Sequence, residues 1–377
     1  MVVGTHDVRL GATTPALPSP VEPSPVKPVV GWAVVGSGFL ALEIWIISHW
    51  ILAGDAKRTP VGPSGVSGST EVLARCVEVI GLLGAAVIIY SCLYRPWKRD
   101  RQISLDGWLI MVFVLLWWQD PLQNYFQVHL TYSSVFFNLG SWTPQVPGWV
   151  SPNTQNVAIP LAWGPAYIWL GLGPAMVATT VMRRAKRRWP QLSPLGAVMC
   201  GLGFLVAFEF TVEPAFLRSG LWAYPGAIEQ FTLFPGRSYQ FPVYEGLAMV
   251  GWWGSFACIR YFRNDKAQTW AERGLDRVAA PPGRKAAIRF LALLGIFNVA
   301  YLASYTAPMA LIAAHSDAWP DEIQRRSDLT NLVCGPGTDY ACPDPALPLP
   351  QRKSAHFNPH GALVVPDGTE LPFNHNE

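Results

Sequence analysis

Seven apolar segments, each long enough or nearly long enough to cross a bilayer, constrain this chain more than any other feature. They are Val29–Ala53, Val72–Tyr94, Leu105–Trp118, Leu161–Met182, Leu195–Leu217, Val243–Phe262 and Ala287–Ala314. In lipid every backbone polar group needs an internal partner, so such segments are helices. Half of the 377 residues are hydrophobic and 14% are charged, against roughly 25% charged in soluble domains. The expected fold is an all-α integral membrane protein, a bundle of about seven transmembrane helices over residues 29–314. The third segment is the shortest. Residues 1–28, rich in proline and serine, are expected to be disordered. They lack the basic start and apolar core of a signal peptide, so the first span is expected to stay in the protein.

Orientation follows from the basic residues. Loops Arg95–Arg101, Arg183–Arg188 and Arg260–Arg289 are strongly basic, whereas connections 54–71, 119–160 and 218–242 contain few lysines or arginines. With seven spans the three basic loops fall on one side, which the positive-inside rule makes cytoplasmic. The amino terminus is then cytoplasmic and the tail 315–377 external. The net charge of +3 is a topology signal and gives no reason to expect a nucleic-acid partner. The expected partners are the lipid bilayer and a hydrophobic small molecule. Cys76, Cys92, Cys200 and Cys258 lie in apolar segments, while Cys334 and Cys342, eight residues apart in the tail, suit a disulfide in an oxidising compartment. No second Cys or His pair accompanies them, so no metal site is expected. After the disulfide loop the tail is expected to fray beyond about Arg352.

Loops Gln119–Pro160 and Arg218–Pro242 form two long external connections crowded with aromatic residues, among them Tyr125, Tyr132, Trp142, Trp149, Trp222, Tyr224, Phe231, Tyr239 and Phe241. Loops of this length are functional or disordered, and the aromatic load argues against disorder. They fit a lid. A belt of interfacial aromatics is the competing explanation, although a belt does not call for the interleaved Asn138, Asn153 and Asn156.

Glu209 and Glu213 stand one helical turn apart inside the fifth segment. An acid at a span centre costs roughly 2.5–3.5 kcal/mol on insertion scales, and chains that keep one generally use it. By helical rise, Glu43, His49, Glu78, Asp120, Glu209, Glu213 and Glu245 all fall toward the external side, which points to a shared acidic cavity. All but Glu209 and Glu213 have a plainer explanation. Glu78 and Glu71 flank Arg75 at ion-pair spacing. Asp120 before Pro121 reads as a helix N-cap, and Glu245, three residues after Pro242, as a partner of a helix dipole. Glu43 has His49 or a group on another span as a candidate companion, and His49 itself reads as a packed or interfacial residue. Glu209 and Glu213 have no such local account, and two neighbouring carboxylates that share a proton suit general acid–base work.

The ordered set Trp118-Gln-Asp120-Pro121-Leu-Gln-Asn124-Tyr125, Tyr132-Ser-Ser, Asn138-Leu-Gly140-Ser-Trp142, Pro147-Gly148-Trp-Val-Ser-Pro-Asn153, Gly220-Leu-Trp-Ala-Tyr224-Pro225-Gly226-Ala and Phe241-Pro242-Val-Tyr244-Glu245 resembles the AveC-type spirocyclases of avermectin-like polyketide pathways. Arg260-Tyr-Phe-Arg263-Asn-Asp-Lys266, Cys334-Gly-Pro-Gly-Thr and Ala341-Cys342-Pro extend the likeness, which runs from about Trp118 to Cys342. It departs twice: the Asp-x-x-x-Glu associated with the fifth span stands as Glu209-x-x-x-Glu213, and Ile159 replaces a Glu before Pro160. The resemblance implies a bacterial cell-membrane enzyme of secondary metabolism that converts a dihydroxyketone into a spiroketal, sometimes with dehydratase activity, and needs no cofactor.

The chemistry needs an acid to release water from a hemiketal, a base to take the proton of the capturing hydroxyl, and a negative or aromatic wall for the oxocarbenium ion. The expected catalytic residues are Glu209 as acid, Glu213 or Asp120 as base, and Glu245. The expected substrate contacts are Glu43, Asn124, Tyr125, Asn138, Trp142, Trp222, Tyr224 and Tyr244. A membrane isoprenoid cyclase would use the same acids. A proton-coupled transporter or lipid-binding protein is the non-enzyme alternative, against which the absence of internal repeats counts. No phosphate loop, nucleophile elbow or metal-binding helix motif is present.

Overall fold

The computed structural model describes residues 28–367; the disorder expected before residue 28 lies outside them. The described chain is mostly helical, with seven long helices: α1 Pro28–Leu52, α2 Gly68–Asp100, α3 Leu105–Leu116, α4 Trp163–Arg188, α5 Pro194–Leu217, α6 Val243–Tyr261 and α7 Pro282–Ala313. Five of these, α1, α2, α4, α5 and α7, are long and apolar enough to cross a membrane. The third apolar segment does not yield a full-length helix. After 12 residues α3 gives way to a 3-10 helix, Trp117–Asn124, which contains Pro121. Proline removes one backbone donor and biases the residue before it away from α-helical geometry.

Other prolines break the long helices and leave carbonyls for side chains to take. Pro174 cannot donate to the Leu170 carbonyl, which accepts the Trp253 indole N–H at 2.9 Å. Pro96 likewise frees the Cys92 carbonyl, bonded by Ser104 Oγ at 3.1 Å beside a π-helical turn, Ile89–Tyr94. Pro308 cannot donate to Ser304, and α7 passes through a second π-helical turn at Leu302–Thr306.

Helix α1 lies along α7 in backbone contact at two glycines. A Cβ on Gly36 would come within 1.8 Å of the Leu291 carbonyl oxygen, and one on Gly295 within 2.4 Å of the Trp32 oxygen. Helices α4, α5 and α6 pack together, and α2 rests on the first half of α4. Phe113 of α3 meets Phe256 and Phe297 edge-on, with ring centroids 5.0 and 5.7 Å apart, at the centre of the core.

The two ends of the bundle differ in charge. At one end lie Lys98, Arg99, the run Arg183–Arg188 and two ion pairs, Arg260 with Asp106 at 2.8 Å and Arg289 with Glu272 at 2.5 Å. At the other end the two aromatic loops and the tail assemble a cap. Strand β1, Thr131–Tyr132, pairs antiparallel with β2, Trp222–Ala223; β3, Thr232–Leu233, pairs with β4, Phe241–Pro242. Most of the loop aromatics fill the interior of this cap. Trp142, Trp149, Tyr224 and Phe241 are buried, with the Trp142 indole N–H on the Trp118 carbonyl at 2.8 Å, although Phe231 is exposed.

The tail is more ordered than expected. Buried Asp328 accepts the Ser133 hydroxyl at 2.6 Å and Arg326 Nη2 at 2.7 Å, and Asn331 donates to the Tyr132 carbonyl at 2.9 Å. A disulfide joins Cys334 to Cys342. Beyond Arg352, where fraying is expected, a hairpin forms from β5, His356–Phe357, and β6, Leu363–Val364.

Candidate active site

The β1–β2 ladder sets Tyr132 directly opposite Trp222, so their side chains leave one face of the sheet together. The Trp163 ring lies against both, at 6.0 and 6.2 Å. Below them the carboxylates gather, and aromatic donors hold Glu213, Glu245 and Asp120. Glu213 of α5 accepts the Trp222 indole N–H at 2.7 Å and the Tyr224 hydroxyl at 3.0 Å. Glu245, third residue of α6, accepts the Tyr305 hydroxyl at 2.8 Å. The Tyr224 hydroxyl also reaches Glu245, and Glu209 is near enough to both other glutamates to feel their charge.

Asp120 accepts the Tyr167 hydroxyl at 2.6 Å and the Tyr132 hydroxyl at 3.1 and 3.2 Å. Because Tyr167 gives its proton to Asp120, Tyr301, at 2.7 Å from the Tyr167 hydroxyl, donates in turn, which makes a chain Tyr301–Tyr167–Asp120. Gln123 ties the two carboxylate groups together. Its amide N–H bonds the Asp120 carbonyl at 3.2 Å and its amide oxygen lies 3.3 Å from the Tyr305 hydroxyl. Trp252 packs on Tyr167, Tyr301 and Tyr305.

Among the described residues no ion pair involves Asp120, Glu209, Glu213 or Glu245. One carboxylate oxygen of Glu209 and one of Glu245 are buried without a partner among the described residues. Four acids without countercharge, bounded by hydroxyls and indoles, form a set that can hold and exchange protons next to a wall of aromatic faces.

Several plainer readings of the acids fail. Asp120 does not cap a helix, because it sits inside the 3-10 helix with its carboxylate turned to the tyrosines. Glu245 does stand in the first turn of α6, where the helix dipole favours a carboxylate, and it also accepts the Tyr305 hydroxyl. Glu78 does pair with Arg75, at 2.6 Å, and accepts the Phe137 N–H, while Glu71 is exposed and makes no ion pair. Glu43 lies on the α1 stripe Phe39, Glu43, Ile46, Trp50 that faces the cap, where Phe39 meets Trp118 and Trp50 meets Trp142. His49 is not its companion. The exposed imidazole bonds the Trp45 carbonyl at 2.7 Å, and one buried Glu43 oxygen has no protein partner.

Of the expected substrate contacts, Trp222 and Tyr224 reach the acids, but others hold the cap itself. Asn124 accepts the N–H groups of His129 and Leu130 and donates to the Leu130 carbonyl. Asn138 accepts from Thr59 and Gly140 and donates to Phe136. Tyr125 bonds Gly148, Trp142 bonds Trp118, and the Tyr244 hydroxyl accepts the Ile228 N–H at 3.1 Å. The sequence reading missed Gln123, Trp163, Tyr167, Trp252, Tyr301 and Tyr305. The available signal was Tyr301 and Tyr305 at the same spacing of four as the paired glutamates, inside a span.

A family model described as spirocyclase AveC-like matches residues 100–329. The chain belongs to this family. The matched stretch holds Asp120, Glu209, Glu213, Glu245 and every tyrosine that donates to them, so the AveC-like region and the acid network coincide. Helix α1 and nearly all of α2 precede it. No curated protein and no solved structure matches the chain. Family membership supports a cyclase role.

Two open clefts, of about 410 and 290 Å³, lie on the cap, one lined by Asp55, Asn153, Tyr340 and Arg352, the other by Gln127, His315, Ser316 and Asp317. Neither is lined by an acid of the network.

Proposed function

We propose that the protein is a membrane-embedded cyclase that converts a dihydroxyketone of polyketide or lipid type into a spiroketal with loss of one water. The observation that supports this best is the set of uncompensated carboxylates, Asp120, Glu213 and Glu245, each on tyrosine or tryptophan donors beneath the cap. One substrate hydroxyl adds to the ketone. Glu209, with its unbonded buried oxygen, gives a proton to the hemiketal hydroxyl, which leaves as water. Glu213 and Asp120 face the resulting oxocarbenium ion as negative groups, with Trp163, Trp222 and Trp252 as aromatic walls. The second hydroxyl then closes the ring and loses its proton, and Glu209 is reprotonated. Asn124 leaves the assignment, because the cap already uses its polar atoms, whereas the Tyr244 hydroxyl accepts the Ile228 N–H and keeps its own proton to donate.

The same reading places the chain in a bacterial cell membrane. Helices α3 and α6 complete seven spans, the arginine-rich end faces the cytoplasm, and the cap with its disulfide faces outward. In that setting lipid supplies the apolar substrate and the packed core keeps water from reopening the ketal.

The test is purified protein in nanodiscs, supplied with a long-chain dihydroxyketone and followed by mass spectrometry. A product lighter by one water, lost in a Glu209→Gln, Glu213→Gln double variant that still folds, is the expected result. Turnover unchanged in that variant overturns the assignment. Chemical change of a polyprenyl substrate instead, or passage of unaltered ketone across liposomes, overturns the reaction class.

A further inference from the structure

His129 Nδ1 lies 2.8 Å from the Gly226 carbonyl oxygen. A carbonyl only accepts, so Nδ1 carries the proton and Nε2 of the neutral ring presents a bare lone pair. The side chain is fully buried, and Nε2 has no donor among the described residues. Burial holds the ring neutral, pushing its pKa down to about 4, with the Gly226 carbonyl opposing.

This geometry is built by the chain around it. The Asn124 side chain accepts the His129 N–H at 2.8 Å and so fixes the turn. A Cβ at Gly226 would fall 2.6 Å from the Val128 oxygen and 3.2 Å from the His129 Cα, so only glycine lets the two loops approach this closely. The imidazole lies by the rings of Tyr224 and Tyr244, with centroids at 5.4 and 6.0 Å. Tyr224 in turn bonds Glu213, so the imidazole and the acids share a neighbour. The unbonded oxygens of Glu209 and Glu245 can each carry their own proton. Nε2 cannot while Nδ1 donates, so it needs a donor from outside the protein.

We propose that His129 Nε2 receives a hydroxyl of the substrate and takes its proton as the ring-closing C–O bond forms. The proposal rests on the cyclase reading. The hydroxyl oxygen gives an electron pair to the oxocarbenium carbon, its O–H bond breaks, and the proton moves to Nε2. The imidazolium returns that proton to the carboxylate that protonated the leaving hydroxyl, so the balance is one dihydroxyketone to one spiroketal and one water. Asn124 and Gly226 act as positioning residues, since they hold the ring and touch no substrate.

Full-length protein with ring-¹⁵N histidine in nanodiscs provides a readout besides activity. Addition of a long-chain dihydroxyketone is expected to move the His129 Nε2 resonance toward that of a hydrogen-bonded nitrogen, and the dimethyl ether of the same ketone is not. A resonance that neither compound moves, or both move alike, overturns the proposal, and so does one already at the hydrogen-bonded position without a probe. In turnover, His129→Asn keeps an amide N–H near the Nδ1 position and removes the Nε2 acceptor, and a fall of about 100-fold in kcat/KM is expected. His129→Gln, whose amide oxygen near the Nε2 position can accept the hydroxyl's hydrogen bond but not its proton, should stay as low, and native turnover in it overturns the proton transfer. Normal turnover in His129→Asn sinks this inference and leaves the cyclase reading standing. A shifted Nε2 without any turnover keeps the hydroxyl site and sinks the cyclase reading.

Discussion

Tyr305 of α7 donates its hydroxyl to Glu245 of α6 at 2.8 Å, and it is this carboxylate's shortest hydrogen bond. The bond also joins the glutamates to Asp120, because the Gln123 amide spans from Tyr305 to the Asp120 backbone. Hydrogen bonds to charged groups contribute about 1.5–3 kcal/mol. If Tyr305 steadies Glu245 through the reaction, Tyr305→Phe lowers kcat roughly 10- to 100-fold with little change in expression. Steady-state kinetics beside a thermal melt check this, and an unchanged kcat separates Tyr305 from catalysis.

The π-helical turn that carries Tyr305 has an identifiable cause in Pro308. Replacing Pro308 by alanine restores a donor for the Ser304 carbonyl and permits regular α geometry, which carries Tyr305 off its present line. Proline inside a helix costs about 3 kcal/mol, so Pro308→Ala is expected to raise or preserve stability while it lowers turnover. Melting temperature and kcat measured on one preparation test the pair of outcomes. A fall in both would show the turn to be structural only.

Contact between α1 and α7 leaves no room at Gly36 for any side chain. Its added Cβ would lie 1.8 Å from a backbone oxygen, which cannot rotate away. Gly36→Ala is therefore expected to push the helices apart and destabilise the protein by about 1–3 kcal/mol, the usual cost of overpacking. Gly38→Ala, where a Cβ meets nothing within 4 Å, serves as the control and should behave like the native protein in the same denaturant titration.

These contacts show which parts of the architecture a one-dimensional reading reaches. The long helices are legible because runs such as Pro194–Leu217 are apolar beyond what a soluble chain sustains. The end of α3 is harder, since an apolar count treats Leu105–Trp118 as one stretch and ignores what Pro121 does to the backbone before it. Glu209 and Glu213 stand out by cost. The tyrosines that complete the network do not, because a tyrosine in an apolar segment is also what ordinary packing produces, and only the fold shows that Tyr167, Tyr301 and Tyr305 point their hydroxyls at acids or at each other. Asn124 and Asn138 mislead in the opposite direction. Polar residues amid aromatic loops suggest ligand contacts, yet each satisfies backbone groups that a buried loop would otherwise leave unpaired.

Asp328 and the Cys334–Cys342 disulfide both secure the tail over the cap, by different physics. Asp328 is fully buried and holds Arg326 together with the Ser133 hydroxyl of the first loop. Asp328→Asn weakens three hydrogen bonds to a charged group, from Ser133 Oγ and from Arg326 Nε and Nη2, and such bonds contribute about 1.5–3 kcal/mol each. A disulfide that closes so short a loop contributes about 2–3 kcal/mol on the chain-entropy account. Asp328→Asn is therefore expected to lower stability more than reduction of the disulfide does. Denaturant titrations of the variant, and of the native protein with and without reductant, give the order. A larger loss on reduction would make the covalent link the principal anchor of the tail.

Acid should weaken the cap through His129. Its folded pKa is lowered from 6.5 to about 4 by burial, so between these values the unfolded chain binds a proton that the folded one refuses. Stability is then complete above pH 6.5, falls as pH drops through that window, and levels below pH 4. A shift of this size corresponds to a loss of about 3 kcal/mol. The groups around the ring are the hydroxyls of Tyr224 and Tyr244, with Glu213 behind the first and Glu245 beside the second in sequence. Other groups of the protein respond to pH as well, so the comparison has to be with His129→Gln, which keeps them and removes the imidazole. Tryptophan-fluorescence denaturation at pH 7 and pH 4.5 should show a smaller acid penalty in the variant. Equal penalties would mean that the imidazole reaches water in the folded protein, and the lone pair assigned to Nε2 would then need no substrate hydroxyl.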